Sequence, residues 1–250
     1  MSLLGFLIAV CAVITANIIE GGNPLALIDI PAFFIICGAT LGAMFVQFPM
    51  GVLAGAIKEL KWMVAPPKPD FHGQLELLEG MANTARQQGL LALENQIASI
   101  DDEFTRNGIQ MIVDGVDKEQ LVELMEKELE MQEYELEQRA KVFEAAGGYA
   151  PCMGIVGAVL GLIHAMGLLD QPELLGPAIG VAFIATIYGV MSANTLFLPL
   201  GNRYKACNHD LVKFMNMTIE GLVSIASGEN TMQLKRRLDA YLPKDAKNKE

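Results

Sequence analysis

Long apolar runs alternate with polar stretches along this sequence. The runs cover residues 3–19, 28–48, 151–169 and 175–200. Each has about the number of residues that a helix needs to cross roughly 30 Å of hydrocarbon at a rise of about 1.5 Å per residue. The pattern therefore predicts four membrane helices, joined in pairs by short turns at residues 20–24 and 170–173.

The first apolar run also has features of the core of a secretory signal peptide. However, no basic residue precedes it, no convincing small-residue cleavage site follows it, and the second run begins within a few residues. These features favour a helix that is retained in the mature protein. The first two runs then form a hairpin with a very short connection.

The segment between the second and third runs has the periodicity of amphipathic helices. Apolar residues recur every three or four positions among polar ones, at Leu75, Leu78, Ala82 and Ala85, and again at Val122, Met125, Leu129, Leu136 and Phe143. A proline cluster at residues 66–69 opens this segment, and Gly147 and Gly148 close it. Since no strand pattern stands out, we predict an all-α membrane protein with four transmembrane helices and a helical cytoplasmic domain.

These boundaries divide the chain into four parts. Residues 1–50 hold the first two membrane helices, residues 51–147 the cytoplasmic helical domain, residues 148–200 the third and fourth membrane helices, and residues 201–250 the cytoplasmic C-terminal helices and tail. Before the proline cluster, Lys58, Lys61 and Trp62 mark a segment suited to the membrane surface, because an indole ring favours the headgroup layer.

The basic residues set the topology of this arrangement. All 18 Lys and Arg residues lie between residues 58 and 141 or between residues 203 and 249, and none lies in the four apolar runs. Basic loops stay on the cytoplasmic side during membrane insertion. Both termini and the large central loop are therefore expected in the cytoplasm, with almost no polar mass on the outer side.

Charge and composition argue against several classes of function. The net charge of -11 argues against nucleic acid as a partner. The four cysteines lack CxxC spacing and a nearby histidine cluster, so neither a disulfide framework nor a metal site is predicted. The sequence also lacks a nucleophile with a positioned base and a phosphate-binding loop. We expect no catalytic residue and no metal, and we expect that the protein is not an enzyme.

The third and fourth runs each carry small and polar residues on one side. Those of the third run are Gly154, Gly157, Gly161 and His164, and the fourth run includes Thr186 and Gly189. Glycine lets a neighbouring helix approach closely, so plain helix packing explains this pattern. For His164, a packed or carbonyl-bonded histidine competes with a role in proton transfer.

The depth of these residues in the membrane suggests a second interpretation. Three residues are expected near the middle of the bilayer: Ala158, Ala185 and Thr186. Pro151 and Pro199 are expected below them at the cytoplasmic edge, an arrangement typical of an ion path above a hinge. Simpler interpretations stay open, since the Thr186 hydroxyl could bond back to its own helix and the prolines could mark a helix start and a helix end.

An acidic residue is missing from this region. Neither the third nor the fourth run has an Asp or Glu at membrane depth, and Asp29 is expected at the outer end of the second run. A proton path through a membrane usually needs a titratable carboxylate. If the chain conducts ions, the acid that binds them must come from another subunit.

Several short blocks of the sequence form a set with a specific order and spacing. They lie at residues 86–94, 107–109, 113–115, 150–151, 153–154 with Gly157, 186 with 188–189, Pro199 and 221–230. Together they resemble the MotA/PomA family, the A subunit of the bacterial flagellar stator, within the wider MotA/TolQ/ExbB superfamily. One departure is Thr231, where the family often has proline.

The resemblance implies a motor in the bacterial inner membrane. Five copies of this chain, surrounded by lipid, would enclose the membrane helices of a MotB/PomB-like B-subunit dimer, each with one membrane aspartate. Ion binding and release at that aspartate would turn the ring against the rotor protein FliG. The family match assigns Arg86 and Glu94 to the FliG interface, and Pro151 and Pro199 to coupling.

The resemblance also bears on the ion path and on the ion. The candidate path residues are Thr186, Ala158, Ala185, Tyr188 and His164. Sodium-driven relatives typically carry hydroxyl groups at the positions of Ala158 and Ala185 as well as Thr186, because sodium sheds water only for other oxygen ligands. Two of these hydroxyls are missing here. We therefore predict a proton as the translocated ion and no cofactor.

Three alternatives stay open. An energiser of the ExbB/TolQ type is related, but such proteins usually have three spans, whereas this sequence predicts four. A paralogue that drives gliding or another non-flagellar motor would share these residues. A passive scaffold, whose small-residue helices only pack, would conduct no ions.

Overall fold

The chain is helical through the part that the structure describes. The structure is a computed structural model that defines residues 2–63 and 65–243. Its α-helices are α1 (Ser2–Ile19), α2 (Ile30–Gln47), α3 (Met50–Lys58), α4 (Phe71–Gln88), α5 (Glu94–Ile97), α6 (Glu103–Val113), α7 (Lys118–Met166), α8 (Pro172–Ser192), α9 (Leu198–Ala226) and α10 (Thr231–Leu238). Short 3-10 helices occupy Pro24–Leu27, Glu59–Met63 and Leu90–Leu93, and a π-helical turn occupies Ala193–Phe197. The predicted all-α fold is confirmed, and these ranges contain no strand.

The apolar helices have the lengths that membrane spans require. Within the described residues, three helical stretches are long and apolar enough to cross a membrane: Pro24–Gln47, Lys118–Met166 and Pro172–Ala226. α1 is apolar as well, but its apolar stretch, Leu4–Ile19, is shorter than those three. The four predicted spans are compatible with this pattern.

The residues form two compact units. The apolar unit comprises Met1–Pro66 and Glu137–Ala206, and the polar unit comprises Pro67–Leu136 and Cys207–Glu250. The boundaries fall inside α7 and inside α9, so both of these helices contribute residues to both units.

The two predicted coupling prolines lie within long helical stretches. α7 continues through Pro151 without interruption, and the helical stretch Pro172–Ala226 passes through Pro199. The open interpretation of these prolines as a helix start and a helix end therefore does not describe this fold. A proline inside a helix offers no N–H to the carbonyl four residues earlier and crowds it. Near Pro199 the backbone forms the π-helical turn Ala193–Phe197, a rare feature that often lies at functional sites.

One stripe of residues places α2 in the apolar unit. Its buried residues are Ala32, Ile36, Thr40 and Met44, which recur every four positions and so share one face. Ala32 and Ile36 pack in a cluster of buried residues with Ala150, Ala185 and Ala193. α2 thus lies against the residues at which α7 and α8 meet.

An aromatic cluster holds the 3-10 helix Glu59–Met63 against α7 and α9. The ring of Trp62 stacks on that of Tyr204 with 5.1 Å between centroids, and the ring centroid of Phe143 lies 5.0 Å from that of Tyr204. Beside them, Arg139 forms an ion pair with Glu59. The predicted place of Trp62 in the headgroup layer stays a prediction; in the structure its partly exposed ring stacks on Tyr204 of the same unit.

The polar unit has its own hydrophobic core. Fully buried side chains there include Leu78, Met81, Leu93, Ile109, Met125, Leu222 and Leu234. At its centre the Nε2 of Gln74 donates hydrogen bonds of 2.8 Å to the hydroxyl of Thr105 and 2.8 Å to that of Thr218. These bonds join α4 to α6 and α9, so the C-terminal helices fold together with the central segment.

Candidate functional site

α7 and α8 approach each other closely along a seam of glycine residues. A methyl group added at Gly161 would lie 2.7 Å from the Cβ of Ala182, and one at Gly157 would lie 2.8 Å from the Cβ of Ala185. Real Cβ atoms essentially never make contacts under 3.0 Å. The two helices can therefore be this close only because these positions lack side chains.

The tightest point of the seam lies where Gly189 faces α7. A methyl group at Gly189 would lie 2.5 Å from the carbonyl oxygen of Ala150 and 2.9 Å from the Cα of Gly154. Both neighbours are backbone atoms, so no side-chain rotation could make room. The four glycines that the sequence assigned to packing, Gly154, Gly157, Gly161 and Gly189, thus all lie between α7 and α8. Pro151 directly follows the carbonyl that Gly189 contacts.

The mid-membrane candidates lie around this seam. Ala185 is buried against Gly157, whereas Ala158 and Thr186 are half-buried. Within the described residues the Thr186 hydroxyl has no hydrogen-bond partner. Farther along the chain, the side chains of Asn194 and Thr195 donate to carbonyls of their own helical stretch at 2.9 and 2.7 Å.

Among the hydroxyl groups of α8, that of Thr186 is the one without a hydrogen-bond partner in the described residues. The Ser192 hydroxyl donates to the Gly189 carbonyl at 3.1 Å, and the Tyr188 hydroxyl is also engaged, as described next. The bond from Thr186 back to its own helix, which the sequence left open, is not formed. The Thr186 hydroxyl remains available to a ligand, a water molecule or another chain.

Tyr188 ties α8 to the start of α2. Its hydroxyl donates to the carbonyl of Leu27 at 2.5 Å and accepts from the backbone N–H of Asp29 at 3.2 Å. Both hydrogen bonds are to backbone, so this candidate path residue holds two helices in place with its polar atom already engaged.

An acidic residue takes part in this contact. The carboxylate of Asp29 accepts from the N–H of Ala32 at 2.6 Å and so caps α2. Asp29 is predicted at the outer end of the second span, and in the structure it is the first residue before α2. Its backbone N–H contacts Tyr188, two residues along the chain from Thr186. An Asp two residues before a proline signals a helix start, but no sequence spacing shows which part of α8 that start reaches.

His164 stands apart from the seam. Its side chain is exposed near the end of α7 and has no hydrogen-bond partner in the described part of the chain. Within residues 2–63 and 65–243, no group of three or more His, Cys, Asp and Glu residues could hold a metal ion.

The two predicted rotor-facing charges flank one turn of the polar unit. Arg86 lies in the last turn of α4 and Glu94 begins α5, and both are exposed. Gly89, with φ +87°, ends α4 and allows the chain to reverse into the 3-10 helix Leu90–Leu93. Neither charge forms an ion pair within the described residues, so they do not neutralise each other.

Comparisons with known proteins cover nearly the whole chain. A family profile described as the MotA/TolQ/ExbB proton channel family matches residues 96–217, and another, described as Motility protein A N-terminal, matches residues 3–89. The chain is 36% identical over 241 residues to Motility protein A of Helicobacter pylori, with 96% of this chain and 94% of that protein covered.

Solved structures share the fold. The C. jejuni MotAB structure matches with a TM-score of 0.92 and 35% identity, covering 98% of this chain and 96% of that chain. The flagellar MotAB stator complex from Bacillus subtilis matches with a TM-score of 0.89 and 32% identity, again covering 98% of this chain and 96% of that chain.

Proposed function

This chain belongs to the MotA/TolQ/ExbB proton channel family, and from that membership we propose that it is the A subunit of a flagellar stator that uses proton flow to turn the rotor through FliG. The observation that carries this proposal is the likeness, over 98% of the chain, to a solved flagellar MotAB stator complex. The match of residues 3–89 to the Motility protein A N-terminal profile favours a stator over an energiser of the ExbB or TolQ type.

In this proposal a B subunit supplies the acid that binds the proton. No Asp or Glu occurs in residues 145–169 or 174–200, yet Thr186 offers a hydroxyl without a partner beside the glycine seam. A carboxylate on a helix of the B subunit would find there a hydrogen-bonding group in otherwise apolar surroundings. Five copies of this chain around two such helices would form the complete stator in the inner membrane.

The energy available for each proton suits a small rearrangement. One elementary charge gains about 2.3 kcal/mol per 100 mV, so a potential of about 150 mV supplies roughly 3–4 kcal/mol per proton. That amount shifts a two-state equilibrium by a factor of roughly 10²–10³. When a proton neutralises the acid beside α7 and α8, the cost of burying that acid falls. This change would drive the ring one step around the B subunits.

Two features support transmission of that step toward FliG. α7 continues through Pro151, and Pro199 is the second residue of α9, directly after the π-helical turn in one helical stretch. Prolines are where bending of a helix concentrates. The backbones of Gly189 and Ala150 pack closely, directly beside Pro151, so α8 cannot move there without displacing α7. A shift of α8 would therefore be passed to α7 at its proline, and α7 also contributes residues to the unit that carries Arg86 and Glu94.

The coupling ion can be tested by motility. Cells that depend on this chain and its B subunit should swim at a speed that follows the proton-motive force and stays unchanged when external sodium is varied at fixed proton-motive force. The reason is that Ala158 and Ala185 provide no oxygen ligands to replace the water of a sodium ion. Cells without the chain should carry flagella that do not turn.

The matched control is the variant with Ala158→Thr and Ala185→Thr, which restores both hydroxyls. The two substitutions should not suffice for sodium use, because in this proposal the B subunit also contributes to the ion site. A steep dependence of wild-type speed on sodium would contradict proton coupling alone. Failure of the chain to restore rotation with its own B subunit would contradict the stator function itself.

A further inference from the structure

The most exposed large apolar side chain of the described polar unit lies between its two rotor-facing charges. Leu91 is 72% exposed and its neighbour Leu90 is 37% exposed. They occupy the turn that connects Arg86 to Glu94. Single exposed apolar side chains are common on protein surfaces. Here two adjacent ones lie on one turn with charged residues on either side, and protein interfaces combine an apolar centre with a polar rim.

The turn that displays Leu91 is rigid. Leu93, two residues later, is fully buried in the core of the polar unit. The N–H of Gly89 donates to the Ala85 carbonyl at 2.9 Å, and the N–H of Glu94 donates to the Leu91 carbonyl. Because the turn is held at both ends, little conformational entropy remains to be lost when Leu91 is bound.

A second bond fixes the far side of the turn. The Nε2 of Gln96 donates to the Thr84 hydroxyl at 3.2 Å, and that hydroxyl donates to the Gly80 carbonyl at 3.1 Å. α5 is thereby tied to α4, so the exposed Arg86 and Glu94 keep fixed places around Leu91. Along the chain, the apolar pair lies between a positive group and a negative group.

We propose that Leu91, supported by Leu90, is the apolar anchor of the contact with the rotor protein. The partner would offer an apolar socket with an acidic group facing Arg86 and a basic group facing Glu94. This inference rests on the proposed stator function and adds the residue that supplies most of the binding energy. In protein interfaces a few buried side chains dominate affinity, while charged residues at the rim guide the approach.

The charges near Leu91 favour a protein over a membrane surface as its partner. Between positions 86 and 103 of the chain, the exposed charged residues are Arg86, Glu94, Asp101 and Glu103. Three of these four are acidic, and an anionic cytoplasmic leaflet would repel them. A socket of mixed charge on a folded protein is compatible with both signs.

Binding of purified FliG to the purified complex of this chain with its B subunit tests the proposal. We expect Leu91→Ser to weaken binding at least about tenfold, as truncation of an interface anchor does, whereas Leu91→Met binds like wild type. The matched control is Met232→Ser, because Met232 on α10 is 66% exposed and should leave FliG binding unchanged. In cells, Leu91→Ser should abolish swimming while the complex still assembles.

Several results would contradict the proposal that Leu91 anchors the contact with FliG. Two of them concern affinity: Leu91→Ser binds FliG like wild type, or Met232→Ser loses as much affinity as Leu91→Ser. In the other two, Leu91→Ser causes the copies of this chain to separate, or it loses binding to phosphatidylglycerol vesicles while FliG binding stays intact. If the wild-type complex binds no FliG, the proposed rotor contact fails and the anchor with it. If Arg86→Glu stops rotation and Leu91→Ser does not, only the anchor fails.

Discussion

Replacing Gly189 with alanine destroys the contact between α7 and α8 and with it the motor. The added methyl group would lie 2.5 Å from the Ala150 carbonyl oxygen and 2.9 Å from the Gly154 Cα. Overpacking of this kind costs about 1–3 kcal/mol, occasionally more. The cost here should reach or exceed the upper end, since only backbone movement can relieve the clash. We expect a lower thermal midpoint of the purified complex and complete loss of swimming.

The same helix provides the control for this variant. A methyl group at Gly180 meets nothing within 4 Å, so Gly180→Ala makes the same chemical change at an open position of α8. Alanine should stabilise the helix there by roughly 0.5–1 kcal/mol. Normal swimming in Gly189→Ala, or an equal loss of swimming in both variants, would mean that close packing at Gly189 is not required for rotation.

Reversing the charge at Arg86 stops rotation without harming the protein. Arg86 is exposed and makes no ion pair within the described residues, and exposed charges contribute less than about 1 kcal/mol to stability. The Arg86→Glu complex should therefore assemble with its B subunit and unfold at the wild-type temperature. Like charges facing each other across an interface cost several kcal/mol, so torque on the rotor should be lost. Swimming speed and the thermal midpoint are the two measurements.

An exposed arginine elsewhere in the polar unit serves as the comparison. Arg236 lies in the last turn of α10 and is exposed, so Arg236→Glu changes the net charge equally. It should leave swimming intact. If Arg86→Glu swims like wild type, or if Arg236→Glu is equally paralysed, Arg86 has no specific role at the rotor.

The helical character and the membrane spans could be predicted from periodicity and charge. Apolar runs of spanning length, and the confinement of Lys and Arg to two stretches, carry that information directly. The four seam glycines could also be recognised in the sequence, because their spacing places small residues on one face of a helix. Their spacing shows that another helix can approach, and the structure identifies the approaching atoms, such as the Ala150 carbonyl at Gly189.

The features that sequence patterns missed depend on long-range contacts. Pro151 and Gly147 look like helix breakers, yet α7 continues through both, because packing can outweigh local propensity. Tyr188 reaches the Leu27 carbonyl across 161 residues of sequence, and no local pattern encodes such a bond. The exposure of Leu91 likewise depends on how tightly Leu93 is held in the core.

We propose that an acid of the B subunit lies beside the seam between α7 and α8, next to the Thr186 hydroxyl. Proton flux into liposomes under an imposed potential tests it most directly, in three preparations: the chain alone, the complex, and the complex with the membrane aspartate of the B subunit changed to asparagine. The account predicts flux only in the unaltered complex, and a loss of that flux in Gly189→Ala. Flux through the chain alone, or undiminished flux through the complex without its aspartate, would contradict it.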